Sequence, residues 1–293
     1  MKSLPNQSGE KYQIVRLANG AHCVRSLAHG ETFHPAIGPE AEAQSLYVNQ
    51  LSLERRQKNF GAELVVWDVG LGAAANAITL LRAAKKLPCA IRLISFDQTS
   101  AALEFALQNA AALGYLDGYE MHLRELIQAN HVRFCEDNQM VQWDLHSGDF
   151  PSLMAQTSAE KLPKPHAILF DPCSPKSNPE MWTLPLFTRI FQLLDPRRPC
   201  VMPTYSRSTM TRAALLLAGF FVGIGHATGQ KEETTIAANS ISLIAGSLDR
   251  KWLNRIRISH SAEPLTESNY RQAPLSVQSW EKLQSHPQFQ SAD

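Results

Sequence analysis

Glu63-Leu64-Val65-Val66-Trp67-Asp68-Val69-Gly70-Leu71-Gly72 is a continuous apolar run that opens into a pair of glycines. The run has the length and branched, aromatic character of a strand buried on both faces. Ala73-Ala74-Ala75-Asn76-Ala77-Ile78-Thr79-Leu80-Leu81-Arg82 follows as a strong helix pattern. A strand, a glycine turn and a helix in succession start an open α/β sheet, and the glycines let the backbone approach a ligand at the helix N-terminus. The spacing is Asp-x-Gly-x-Gly and lacks the third glycine of the dinucleotide fingerprint. A tight turn with no ligand is the competing reading of this segment alone.

Further strands follow outward from it. Ala90–Phe96 reads as a strand ending at Asp97, about 25 residues beyond the glycine turn, where an acid typically accepts from ribose hydroxyls. Met140–Leu145 leads to Ser147-Gly148-Asp149-Phe150, where an acid followed by an aromatic suits an adenine amino group and ring. His166–Phe170 is another buried strand and ends at Asp171. Pro172, Pro175 and Pro179 then force a stiff, non-helical loop. Such a loop reads equally as a turn acid with a Pro-rich connector. Any one of Asp68, Asp97, Asp149 and Asp171 reads also as a helix cap. Together, at successive strand tips, they suit adenosine bearing a cationic sulfonium better than a pyrophosphate.

The remaining segments complete the organisation. Tyr12–Arg16 and His22–Ser26 are expected to pair across Ala18-Asn19-Gly20, a hairpin signal. Pro39 to Gln57 reads as helical. Residues 114–139 read as a helical insertion, Cys200–Tyr205 as a fifth strand, Ser208–Ala218 as a helix, and two strands near Phe221–Ala227 and Thr234–Ile244 close the sheet. The tail from Leu248 reads as a helix and then weakly ordered sequence. The expectation is therefore an α/β, Rossmann-like, mostly parallel seven-stranded sheet with helices on both faces. Residues 1–60 would be an N-terminal hairpin-and-helix extension, 61–247 the catalytic domain and 248–293 a C-terminal helix and tail.

Composition excludes several classes. Apolar residues make up 44% and charged residues 19%, as in an ordinary globular protein. The five scattered cysteines form no Cys-x-x-Cys pair, so neither a zinc site nor a disulfide framework is suggested, and a cytoplasmic location fits. The segment from Ala213 to Gly225 is too short to span a bilayer, and Met1–Gln7 has no signal-peptide core. A net charge of +1 does not announce an RNA-binding protein. The densest basic cluster is Arg250, Lys251, Arg255 and Arg257, which reads also as a solvated helix face.

With these motifs in place, the chain resembles the class I S-adenosylmethionine-dependent methyltransferases. More narrowly it resembles the MnmC-type methyltransferase domain that completes 5-methylaminomethyl-2-thiouridine at the tRNA wobble position, in the stand-alone form without a fused FAD-dependent oxidase. The residues carrying the likeness are Asp171-x-x-Ser174-Pro175-x-x-Asn178-Pro179-Glu180-Met181-Trp182-Thr183, Gly30-Glu31-x-x-His34 and Gly38-x-x-x-Glu42-Ala43. Asn76, Tyr205 with Arg212, Ala218-Gly219-Phe220, and Gly229-x-Lys231-x-Glu233-Thr234-Thr235-x-Ala237 add to it. The likeness departs at Ala74, where a glycine is frequent, and at Pro172-Cys173.

The resemblance implies S-adenosylmethionine as cofactor, tRNA as substrate, and a separate FAD-dependent oxidase acting upstream. Asp171 and Tyr205 are the implied catalytic residues. Asp68, Gly70, Gly72, Asn76, Asp97, Asp149 and Phe150 are assigned to the cofactor; Glu31, His34, Pro175, Trp182 and Lys231 are assigned to the substrate. No metal is expected. Cys173 is read as a wall residue, because direct methyl transfer to nitrogen needs no thiol nucleophile. The competing readings are a nicotinamide-dependent oxidoreductase, which binding of NAD would reveal, and a non-catalytic cofactor- or RNA-binding scaffold.

Overall fold

The computed structural model of the protein describes residues 11–228 and 232–290. Two sheets are present among them. The first is small and antiparallel: β1 (Tyr12–Arg16), β2 (His22–Ser26) and β3 (Glu31–Thr32). β1 and β2 pair as expected, with Tyr12 opposite Ser26 and Arg16 opposite His22. The third strand, too short to carry an alternation signal, extends the expected hairpin and brings Glu31 to its edge.

The main sheet comprises β4 (Glu63–Val69), β5 (Ala90–Asp97), β6 (His131–Glu136), β7 (Gln139–Ser147), β8 (Ala167–Phe170), β9 (Val201–Thr204), β10 (Phe221–Gly225) and β11 (Thr234–Ala238). Its order is β10-β11-β9-β8-β4-β5-β7-β6. The neighbours from β9 to β7 pair in parallel, and antiparallel pairs close both ends. The seven anticipated strands are all there, and β6 is an eighth. It lies within the segment read as purely helical, after a helix at Glu120–Ala129. Its alternation of exposed and buried residues marks a strand with one face in water.

β4 separates two cores. Leu64 and Val66 join one apolar cluster, while Val65, Trp67 and Val69 join the other across the sheet. This is the period-two alternation of a strand covered on both sides. The chain leaves β4 toward β5 on one side and reaches β8 on the other. That strand-order reversal places a crevice at the carboxyl ends of the strands.

The C-terminal tail is packed, contrary to the weakly ordered tail expected. A helix at Val277–Gln284 and a short turn at Pro287–Phe289 bury Leu283 and Phe289. The Gln288 side-chain oxygen accepts from the Val222 N–H at 2.8 Å, and its amide donates to the Val222 and Leu248 carbonyls, each at 2.8 Å. These bonds cover the free edge of β10, which would otherwise invite another strand.

Candidate active site

A cavity of about 410 Å³ opens at the carboxyl ends of β4, β5, β7, β8 and β9, and the small N-terminal sheet roofs it. Its floor is the glycine turn after β4. Gly70 has φ +89°, and a Cβ there would lie 2.7 Å from the Asp171 carbonyl oxygen. Only glycine lets the β4 and β8 tips come this close. The Gly72 N–H donates to Asp97 Oδ2 at 2.8 Å, so the acid at the β5 tip holds the turn. Asp97 is raised by burial, against the backbone N–H groups of Gly72 and Thr99 that draw it down. The helix that follows starts at Ala75 rather than Ala73, because Ala74 takes the left-handed conformation with φ +62°. Ala74 is buried in the core and does not line the cavity, so its departure from glycine leaves the cavity wall unchanged.

Asp171 lies at the end of β8 in the cavity wall. Asn76 Nδ2 donates to its Oδ2 at 2.7 Å, and His34 Nε2 lies 3.9 Å from the same oxygen. The Tyr47 hydroxyl, fully buried on the helical segment Gln44–Val48, bonds the Asp171 carboxylate and lies 3.3 Å from the Phe170 carbonyl. His34 itself has φ +51° and lines the cavity. Burial lowers its basicity, with Glu42 opposing, so it is held toward the neutral imidazole.

The loop from 171 to 178 is non-helical, as its prolines require, until a short turn at Pro179–Trp182. Glu31 reaches across from the N-terminal sheet to hold it. It accepts from the Ser174 N–H at 3.1 Å and from both the Ser174 and Ser177 hydroxyls. Burial works against the Glu31 charge, but these donors outweigh it and keep the carboxyl below its usual range. The Tyr205 hydroxyl donates to the Pro172 carbonyl at 2.9 Å. Burial, then Asp171, Glu31 and Cys173, raise Tyr205 well above the usual phenol range, so it remains a donor. Burial and the same acidic surroundings push the Cys173 thiol up to about 12, consistent with a wall residue rather than a nucleophile.

Several sequence assignments change. Asp68 is fully buried and does not line the cavity; it sits one residue inside β4 and accepts from Ser95 Oγ at 2.8 Å. Asn76 also lies outside the lining, behind Asp171, and touches the cavity only through that carboxylate. Pro175 is absent from the lining, and Trp182 is a core residue whose Nε1 donates to the Cys173 carbonyl at 2.8 Å. Asp149 does line the cavity, but its Oδ2 accepts from the Ser152 N–H at 3.0 Å as the cap of the helix Phe150–Ala155. Phe150 lines the cavity beside it and packs edge-on against Phe96. Lys231 lies outside the described residues. Arg212 is buried and ties its helix to β11 through Thr235, Glu233 and the Thr234 carbonyl, which gives that motif a structural role.

The lining chemistry discriminates between cofactors. Among the described residues it contains six carboxylates, Glu31, Glu42, Asp97, Asp149, Asp171 and Glu180, and no Lys or Arg. Such a wall repels a pyrophosphate and attracts a cation. A sulfonium nucleoside fits it: a positive centre, ribose hydroxyls that donate, and an adenine amino group that donates.

Comparison with known proteins agrees. A sequence model of the S-adenosyl-L-methionine-dependent methyltransferases matches residues 114–240. The chain is 28% identical over 214 residues to the tRNA 5-methylaminomethyl-2-thiouridine biosynthesis bifunctional protein MnmC of Ectopseudomonas mendocina (strain ymp). That match takes in 69% of the chain and 32% of the relative, so the chain spans about a third of that protein's length. Its fold is similar to the crystal structure of MnmC2 from Aquifex aeolicus, with a TM-score of 0.68 at 20% identity, covering 95% of this chain and 86% of the other. No helix among the described residues is long and apolar enough to cross a membrane.

Proposed function

We propose that the chain is an S-adenosylmethionine-dependent methyltransferase and that it methylates the aminomethyl nitrogen of the wobble uridine in tRNA, as the name of its MnmC relative suggests. The observation that carries this reading is the acid-lined cavity, without Lys or Arg among the described residues, with Asp171 held in its wall by neutral donors. When bound, S-adenosylmethionine supplies a methyl group made electrophilic by its positive sulfur.

The chain's own residues do the rest. Asp97 accepts from the ribose hydroxyls while bracing Gly72. Asp149 and Phe150 face the adenine, the acid through the oxygen not engaged in capping. Gly70 and Gly72 shape the turn beneath. Asp171 accepts a hydrogen from the acceptor amine and aligns its lone pair. Asn76 and Tyr47 fix the carboxylate so that little reorganisation is needed on binding, and positioning supplies most of the acceleration. Tyr205 acts as a bolt on Pro172 rather than as an acid or base. The phosphates of an RNA are excluded from the acidic cavity and lie outside it, where Lys176 on the site loop and Arg207 just beyond Tyr205 are exposed. A cytoplasmic enzyme working after a separate FAD-dependent oxidase is consistent with this chemistry.

The test is incubation with S-adenosylmethionine and bulk tRNA lacking the wobble methyl group, followed by nucleoside mass spectrometry. Conversion of the 5-aminomethyl nucleoside into its methylamino form supports the proposal. Cofactor binding with no methyl gained by tRNA contradicts it.

A further inference from the structure

Five of the six carboxylates in the cavity wall already have protein partners. Asp97 accepts from Gly72, Asp149 from Ser152, Glu31 from Ser174 and Ser177, Glu42 from the Ala36 N–H, and Asp171 from Asn76. The sixth, Glu180, differs. It lies on the short turn Pro179–Trp182 and lines the cavity, and no hydrogen bond or ion pair engages its carboxylate among the described residues. Two positions earlier on the same turn, Asn178 also lines the cavity. Its Oδ1 is shielded from solvent and has no hydrogen-bond partner. That oxygen is closed to a ligand in the cavity as well as to solvent, and Glu180 is the side-chain acceptor that this turn exposes to the cavity.

The turn is held rigidly. The Asn178 N–H donates to the Ser174 carbonyl at 2.8 Å, Trp182 is anchored on the Cys173 carbonyl, and Glu31 clasps Ser174 and Ser177. A carboxylate with no protein partner among the described residues, Glu180, is thereby presented on a fixed segment of the same loop that carries Asp171. A group complementary to it has several N–H donors and a positive charge, which is an alkylammonium. A neutral hydroxyl has one donor and no charge to set against the carboxylate.

We propose that Glu180 forms the acceptor-amine subsite, in which its carboxylate recognises the substrate amine in its protonated form. The aligned ammonium then gives one proton to the Asp171 carboxylate and attacks as the neutral amine. Glu180 is a specificity-determining residue here, selecting an amine over an alcohol of the same shape. The proposal rests on the reading of the cavity as a methyl-acceptor site.

The experiment measures calorimetric binding of 5-aminomethyluridine and of its neutral isostere 5-hydroxymethyluridine to the protein loaded with S-adenosylhomocysteine. The wild type is expected to prefer the amine by at least about tenfold. Glu180→Gln, which keeps the size and removes the charge, is expected to abolish that preference while S-adenosylhomocysteine binds as before. Glu180→Asp is expected to restore part of it, and Glu180→Ala replaces the Gln variant should that one fail to fold. A wild type with no preference, or one that binds neither nucleoside, overturns the proposal; so does a Glu180→Gln variant that keeps the preference. The tRNA assay is scored separately. Amine preference without tRNA methylation would retain the subsite and remove tRNA as its substrate.

Discussion

Asp97 and Asp68 occupy neighbouring strands and were both legible as strand-end acids, yet only Asp97 reaches the cavity. The difference is depth along the strands. Asp68 pairs with Ser95, two positions before Asp97, so the two acids share a face of the sheet, but Asp68 stays inside it against the Ser95 hydroxyl whereas Asp97 ends its strand. Asp97→Ala should weaken S-adenosylmethionine binding by about 1.5–3 kcal/mol, the usual loss for hydrogen bonds to a charged group. Unchanged affinity by calorimetry would remove Asp97 from the cofactor site. Asp68 carries a different consequence. Burial, then Asp171 and Asp97, raise its carboxyl to about 7, with Ser95 opposing. A raised acid favours the folded state at pH below its unfolded value near 3.8, and that contribution is lost as pH climbs through about 7. Asp68→Asn keeps the Ser95 bond and removes the titration. Its melting temperature relative to wild type should rise between pH 5 and pH 8, and a pH-independent difference would show that Asp68 does not titrate in that range. Asn76 shows another limit of sequence reading. Its place after the glycine turn suggested the cofactor, but only the three-dimensional approach of β4 to β8 reveals Asp171 as its partner.

At the scale of elements, the buried strands and the Pro-rich loop were readable because their signals are local. Apolar runs bounded by acids and glycines gave β4, β5 and β8 nearly to the residue, and the prolines forbade a helix over the loop. What was not readable depends on partners far away in sequence. β3 is only two residues long, and the alternation of β6 spans a short strand directly after a helix. The clasp of Glu31 on Ser174 and Ser177 spans more than 140 positions and has no local signature. Glu31→Gln should loosen the loop, seen as faster amide hydrogen exchange over 173–178. Turnover should fall while cofactor affinity hardly changes. Exchange identical to wild type would mean that the prolines alone fix the loop. The stabilisation from this clasp is present above the unfolded glutamate value of 4.5 and is lost as pH falls through the lowered folded value.

On the scale of the whole molecule, the floor of the cavity comes from the main sheet, and the roof comes from the N-terminal sheet, which also contributes the clasp. The tail was misread because its polar, Pro-containing sequence hides a few anchors, chiefly Leu283, Gln288 and Phe289. Deleting residues from 262 onward should destabilise the protein by at least about 3 kcal/mol, since Leu283 and Phe289 alone bury about 1.5–3 kcal/mol each. Unchanged thermal melting would show that the tail only rests on the surface. The tail also redefines the basic helix. Arg250 donates to the Phe289 carbonyl at 2.7 Å, and Arg257 stacks over Trp280 at 5.3 Å, so half of that cluster holds the tail in place.

The central claim is that Asp171, held by Asn76 and Tyr47, aligns the acceptor amine and takes up its hydrogen. Single-turnover methyl transfer by Asp171→Asn, followed against pH on undermethylated tRNA with saturating S-adenosylmethionine, tests it most directly. The account predicts a fall of about 10²-fold or more at neutral pH, with intact cofactor binding and partial recovery as rising pH supplies neutral amine from solvent. A variant that transfers methyl at the wild-type rate at neutral pH would contradict the account and leave Asp171 as a cap on its loop.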